Sequence, residues 1–181
     1  MFLGLSCSKC CSDKCQQIDV LSQSNDWPGL QIAISGNIIK YGTYDGVPDG
    51  FWQGRAETGT NPSAVTLTFS DKKPAKIVVL CSAMNTGETQ SYEVNGSALS
   101  AVVDGVRPSG AYQEGQRNAS SGTISRADGG EGNSRFRLTI EESSPGSLTG
   151  FVWRHSTTSN ANGMVNAIFL CDDINETVTF V

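Results

Sequence analysis

Short runs of alternating apolar and polar residues recur along the chain, and no helix-length window has apolar residues at three-to-four spacing. The clearest run has Val65, Leu67 and Phe69 separated by hydroxyl side chains, and residues 136–140 repeat the pattern with arginine and threonine between the apolar positions. Successive residues of a strand lie on opposite faces of a sheet, so each run predicts a strand with one buried and one polar face. The sequence therefore predicts an all-β fold.

Turn residues separate the predicted strands. These strands cover residues 17–22, 30–35, 38–44, 51–57, 64–70, 75–82, 88–94, 97–103, 121–126, 134–141, 147–154, 164–171 and 175–181. Gly36-Asn37 and Asn95-Gly96 fall between strands, and such pairs favour two-residue hairpins because both residues tolerate positive φ. Many short strands at this spacing predict a two-sheet sandwich or a barrel.

Two predicted strands, Ile77–Cys81 and Ala167–Cys171, are apolar at every position. Such strands are typical of a sheet centre that is covered on both faces. One face of each sheet in an isolated sandwich contacts water, so this pattern requires an additional cover. The N-terminal segment, a long loop or a neighbouring subunit could supply it, and the last alternative predicts a homo-oligomer.

Four cysteines stand close together near the N-terminus: Cys7, Cys10, Cys11 and Cys15. We interpret residues 1–16 as a Cys-rich N-terminal attachment segment and residues 17–181 as the β-sandwich domain. Four thiolates can bind one zinc ion, although the adjacent pair Cys10 and Cys11 reaches the same ion only if the chain curls. Disulfides within the cluster or to another chain are the alternative.

We interpret the remaining two cysteines and the only histidine as structural rather than catalytic residues. Cys81 and Cys171 each end an apolar run, which predicts buried core thiols, or a bridge between them if their strands are neighbours. His155 precedes a Ser/Thr/Asn-rich stretch without a catalytic motif, which predicts a solvated loop residue. No acidic pair shows a pattern that marks a raised pKa. These observations predict that the protein is not an enzyme.

Length and charge limit the classes of partner. The 181 residues correspond to one main domain, and 13 basic against 18 acidic residues give a net charge of −5. This balance argues against binding to nucleic acid or to an anionic membrane surface. The apolar runs are far shorter than the roughly 18–20 residues of a membrane span, and the N-terminus lacks the basic region of a secretory signal.

The segment from Asn61 to Gly96 resembles the central hairpins of jelly-roll sandwiches, which occur in carbohydrate-binding modules, secreted adhesins and bacteriophage virion proteins. The resemblance implies a two-sheet antiparallel sandwich of the jelly-roll type. Together with the acidic composition and the absence of catalytic motifs, it favours a non-enzymatic structural protein of a tailed-phage virion, such as a head-decoration, tail or fibre component. Its partners would be other virion proteins and copies of itself, assembled in the host cytoplasm. The alternative is an extracellular carbohydrate-binding or adhesion module that recognises a surface glycan.

The sequence contains aromatic residues that are candidates for glycan contact in this alternative function. Sugar rings stack on exposed aromatic faces, and Phe51 and Trp52 are adjacent, so both cannot point inward along one strand. We expect Trp52, with Phe51 and Tyr44 close by, to contact the glycan.

Overall fold

The computed structural model describes residues 14–22, 25–44, 47–53, 63–84, 88–99, 102–103, 116–118, 123–125, 134–157 and 164–178. Within these ranges the regular structure consists of strands alone. None of the described residues belongs to a helix long and apolar enough to cross a membrane.

Fourteen strands make up the described structure. In chain order they are β1 (Cys15–Ile18), β2 (Leu30–Ser35), β3 (Ile38–Tyr44), β4 (Val47–Gln53), β5 (Ser63–Phe69), β6 (Lys76–Met84), β7 (Glu88–Val94), β8 (Ser97–Ala98), β9 (Val102–Val103), β10 (Gln116–Asn118), β11 (Thr123–Ser125), β12 (Ser134–Glu141), β13 (Gly150–Thr157) and β14 (Met164–Cys171).

The strands form two antiparallel sheets of seven strands each. The order in the first sheet is β3-β4-β14-β6-β12-β9, with β1 pairing β14 beyond the end of β4. The order in the second sheet is β10-β11-β7-β13-β5-β2, with β8 beside β7. The predicted all-β sandwich is confirmed.

The main core lies between the two sheets. Val65 and Leu67 of β5 are completely buried, as are Ile77 and Val79 of β6 on the facing sheet. The alternation in residues 63–69 thus buries its apolar side, as predicted. Each such side chain contributes about 1.5–3 kcal/mol through removal from water.

The outer face of the first sheet carries a second apolar cluster, which explains the doubly apolar strands. Val78 and Leu80 of β6 lie in this cluster beside Phe169 of β14, and all three are buried. Cys15 of β1 and Val178 from the C-terminal segment belong to the same cluster. The prediction that both faces of these central strands are covered is confirmed.

Lys76 and Lys14 contact the C-terminal segment that follows β14 and hold it against the first sheet. The buried Lys76 ammonium donates hydrogen bonds to the carbonyl oxygens of Ile174 and Glu176. Lys14 Nζ lies 3.2 Å from a carboxylate oxygen of Glu176, and this hydrogen bond and charge raise the pKa of Lys14. These contacts explain why residues 175–178 form no strand, contrary to the prediction for 175–181; residues 179–181 lie outside the described part.

A disulfide joins Cys15 to Cys171, which are directly opposite each other in the β1–β14 pair with their Cα atoms 4.0 Å apart. The prediction that Cys171 is a core thiol was therefore wrong, whereas Cys81 is a buried thiol outside any disulfide, as expected. The alternative bridge between Cys81 and Cys171 is excluded, although their strands are neighbours.

Because of this disulfide, the prediction that Cys7, Cys10, Cys11 and Cys15 form one cluster is wrong for Cys15. With its sulfur bonded to Cys171, Cys15 has no thiolate to offer a metal ion. Cys7, Cys10 and Cys11 lie outside the described residues, so zinc or disulfide bonding there stays a prediction. The role of residues 1–16 as an attachment segment also stays a prediction, although Cys15 and Gln16 already belong to β1.

The two predicted hairpin turns have different outcomes. Asn95 and Gly96 have φ values of 52° and 78° and connect the paired strands β7 and β8, as predicted. Gly36-Asn37 instead connects β2 of the second sheet with β3 of the first. A Cβ atom at Gly36 would lie 2.5 Å from the Ser63 hydroxyl, and the Asn37 amide donates to the same oxygen at 3.1 Å, so this turn is packed against β5.

Candidate functional site

Three neighbouring strands place buried polar residues in one row across the second sheet. His155 of β13 lies directly opposite Ser63 of β5 on one side and Gln90 of β7 on the other. All three are at most 1% exposed. Polar side chains are rarely buried so completely without hydrogen bonds, so this row is a candidate site.

Gln90 is the centre of a buried group that we call the Gln90 cluster. It consists of the hydrogen-bonded residues Cys81, Gln90, Tyr92 and Trp153, together with His155, whose ring stacks on Trp153. The Tyr92 hydroxyl donates to Gln90 Oε1 at 2.7 Å, and the Trp153 indole donates to the same oxygen at 3.1 Å. Cys81 Sγ lies 3.4 Å from the Tyr92 hydroxyl across the two sheets. Burial raises the pKa of Tyr92 well above its usual value, and the Cys81 thiol adds to this effect, so Tyr92 is a neutral donor.

Aromatic rings surround the Gln90 cluster. The Trp153 ring makes an edge contact with Phe51, with centroids 5.4 Å apart, and lies parallel to His155 at 6.1 Å. Phe51 is only 1% exposed. Its expected contact with a sugar is therefore corrected, because its ring packs in the core and presents no face to solvent.

His155 is also corrected, from a solvated loop residue to a fully buried member of β13. Phe151, Trp153 and His155 occupy alternate positions and all face the core. The period-two signal was therefore present in the sequence. It was missed because the polar residues after His155 resemble a loop.

Within the described ranges the buried polar residues are Ser63, Lys76, Gln90 and His155, and none of them is a carboxylate. The described residues also contain no group of three or more His, Cys, Asp and Glu side chains that could hold a metal ion. Within the cluster, the contact between Cys81 Sγ and the Tyr92 hydroxyl connects the two sheets, whereas the hydrogen bonds to Gln90 lie within the second sheet.

We expect Gln90→Leu to lower the free energy of unfolding by about 1–3 kcal/mol, because the buried Trp153 indole and the buried Tyr92 hydroxyl both lose their acceptor. Chemical denaturation followed by fluorescence measures this loss. The same substitution in a Trp153→Phe background should cost less, because the orphaned donor is then absent. Equal costs in both backgrounds would show that the hydrogen bond contributes nothing.

The outer face of β3 and β4 offers a surface of a different kind. Ile38 packs against the core, whereas the next residue, Ile39, is 40% exposed. Ile39 lies directly opposite Trp52 in the β3–β4 pair. Directly paired residues lie on the same face, so position 52 shares the face of Ile39, whereas Phe51 belongs to the core face. The side chains of Trp52 and Tyr44 lie outside the described part.

Comparison with known proteins finds likenesses among solved structures only. No protein-family model matches the sequence, and no curated protein matches it. The enzymatically active domain of tailspike protein 4 from Bacteriophage CBA120 is similar with 12% identity and a TM-score of 0.41, over 84% of this chain and 21% of that chain. The catalytic domain of a GH87 alpha-1,3-glucanase in complex with tetrasaccharides is similar with 12% identity and a TM-score of 0.43, over 92% of this chain and 29% of that one.

A further similar structure is the catalytic unit of a GH87 alpha-1,3-glucanase from Streptomyces thermodiastaticus, with 12% identity and a TM-score of 0.39 over 83% of this chain and 27% of that one. The chain thus spans less than a third of the length of the structures it matches. These findings correct two predictions, that of a non-enzymatic structural protein of a virion and that of a protein without enzymatic activity. The similar structures are described as catalytic or enzymatically active domains.

Proposed function

We propose that this chain is a glycan-binding β-sandwich domain whose binding surface is the outer face of β3 and β4, centred on Trp52. One observation carries the proposal: Ile39, directly opposite Trp52, is 40% exposed, while the neighbouring Phe51 fills the core. An exposed apolar position opposite a tryptophan on a strand pair is a suitable platform for a sugar ring.

The chemistry of this face favours a neutral glycan. The apolar C–H face of a pyranose packs on an indole ring, and an adjacent aliphatic side chain extends that contact. Lys40, the residue after Ile39, is paired with Asp19 at 3.1 Å. An acidic sugar would have to compete with this carboxylate for the lysine, whereas a neutral sugar would not.

The disulfide supports a location outside the reducing cytosol. Structural disulfides such as Cys15–Cys171 form and persist in oxidising compartments and on cell or virion surfaces. Surface glycans are found in the same places. We therefore place the domain at an extracellular surface.

We expect Trp52→Ala to weaken binding to a recognised neutral polysaccharide by at least about tenfold, which corresponds to about 1.4 kcal/mol. Affinity electrophoresis against a panel of neutral and acidic polysaccharides measures this change. Release of reducing ends in the same mixtures distinguishes binding from hydrolysis.

The matched control is Ile174→Ala, which removes another exposed apolar side chain, 44% exposed, from the C-terminal segment. This variant should retain the affinity of the unmodified protein. Equal affinities of Trp52→Ala and the unmodified protein for every bound polysaccharide would overturn the proposal. A panel in which nothing binds would overturn it too.

A further inference from the structure

We infer that Asn95 is a deamidation site that the folded chain keeps unreactive, and that separation of the β7–β8 turn from the start of β13 makes it reactive. The inference is independent of the proposed glycan surface, because this turn belongs to the second sheet. Its evidence is the Asn95-Gly96 dipeptide and the hydrogen bonds that the Asn95 side chain makes.

The turn contains both reacting groups. The Gly96 backbone nitrogen can attack the side-chain amide carbon of Asn95, Cγ, because glycine has no Cβ atom to obstruct the approach. Asn95 is exposed, and a Cβ atom added at Gly96 would meet none of the described atoms within 4 Å. Solvent therefore reaches the turn, and neighbouring parts of the described fold do not cover it.

The reaction replaces the Asn95 amide by a carboxyl group. The Gly96 nitrogen forms a bond to Cγ while the bond between Cγ and Nδ2 breaks, and Nδ2 leaves as ammonia with the proton that the Gly96 nitrogen loses. Water then adds to one of the two carbonyl carbons of the cyclic imide. This addition opens the ring and leaves Asp or isoaspartate at position 95, with water as the only co-reactant and no oxidation or reduction.

Four hydrogen bonds hold the Asn95 side chain at the start of β13. Oδ1 accepts from the Thr149 amide at 2.8 Å, from the Thr149 hydroxyl at 2.9 Å and from the Gly150 amide at 3.1 Å. Nδ2 donates to the Ser147 carbonyl oxygen at 2.7 Å. Both polar atoms of the side-chain amide are thus bound to the same neighbouring segment.

The Asn95 backbone is held as well. Its N–H donates to the Gly150 carbonyl oxygen at 3.0 Å, and its φ of 52° suits the two-residue turn between Val94 and Ser97. Cγ must leave these partners and move to the Gly96 nitrogen before the ring can close. The reaction rate therefore follows the fraction of molecules in which the turn has separated from β13.

Deamidation also prevents the turn from closing again in its original form. A carboxylate at position 95 has no N–H to donate, so one of its oxygens would face the Ser147 carbonyl oxygen that Nδ2 contacts at 2.7 Å. An isoaspartate would lengthen the backbone of the two-residue turn by one carbon. A single opening event that leads to reaction thus leaves a permanent change at this end of the second sheet.

The test compares reaction rates by peptide mapping with mass spectrometry after the full chain is incubated in mildly alkaline buffer. We expect Asn95 to react at least tenfold more slowly in the native protein than in concentrated urea with a reductant. Asn162-Gly163 is the same dipeptide elsewhere in the chain, and it supplies the reference rate in urea. Equal rates at Asn95 in buffer and in urea would overturn the inference.

Variants test whether the turn controls the reaction. Thr149→Val removes one donor to Oδ1, so it should raise the native rate at Asn95 at least about threefold. Thr177→Val, at another exposed threonine in the C-terminal segment, is the matched control and should leave the rate unchanged.

A second variant distinguishes opening of the turn from unfolding of the whole domain. Cys15→Ala with Cys171→Ala removes the disulfide from the first sheet without altering the turn, so the rate at Asn95 should stay that of the unmodified protein. If Thr149→Val reacts no faster than the unmodified protein, or if the double cysteine variant reacts as fast as Thr149→Val, the inference fails.

Discussion

We expect a variant with both Cys15→Ala and Cys171→Ala to lose about 2–5 kcal/mol of unfolding free energy. The disulfide joins residues separated by 156 positions, so it closes nearly the whole described chain into one loop. Closing a long loop removes more conformational freedom from the unfolded chain than closing a short one. Urea denaturation with and without a reductant measures the difference.

The reduced unmodified protein is the control for this pair of substitutions. Its stability should approach that of the double variant, and the variant itself should not respond to the reductant. Replacing both cysteines avoids leaving one buried thiol without its partner. A double variant as stable as the oxidised protein would contradict the prediction.

A comparably large loss is expected from Trp153→Ala, which should cost about 3–5 kcal/mol. The ring is completely buried, contacts Phe51 and His155, and donates to Gln90. Its removal leaves a cavity between the sheets and deletes one of the hydrogen bonds that orient the Gln90 side chain. Chemical denaturation followed by circular dichroism measures this loss without relying on tryptophan fluorescence.

Val152→Ala is the matched control, since Val152 precedes Trp153 on the same strand but is only half-buried, on the opposite face. It should cost about 1 kcal/mol or less. Similar losses at the two positions would show that strand propensity, not burial against the first sheet, determines the effect.

Local pattern was sufficient to predict most of the strands. Strands β2, β3, β7, β12 and β14 have the predicted bounds, because each shows alternation or a continuous apolar run between turn residues. β4 begins at Val47 rather than at residue 51, since pairing with β3 extends the hairpin toward its turn. The pair Val102–Val103 is separated from β8, although one strand was predicted over residues 97–103.

Features that depend on distant parts of the chain were not predictable in this way. The Cys15–Cys171 bond requires β1 to lie beside β14, and no local signal specifies this neighbour. The Gly36 turn was assigned to a hairpin because its residues suit one, but β2 and β3 pair with different partners. Alternation along β4 requires one of its two adjacent aromatic residues to face outward, but it does not specify which one. The fold shows that Phe51 is the buried one.

The bond between Cys15 and Cys171 also determines how the domain responds to mechanical tension. A pull on the chain before residue 15 and after residue 171 is transmitted through this bond rather than through the strands between them. The cysteines are separated by 156 positions, so the chain between them would reach a length of roughly 510–560 Å if it were unfolded and fully extended. Because the disulfide closes this segment into a loop, a pulling force cannot extend it. Under load applied along this path, only the segments outside the loop extend, and the sandwich with its outer β3–β4 face keeps its shape.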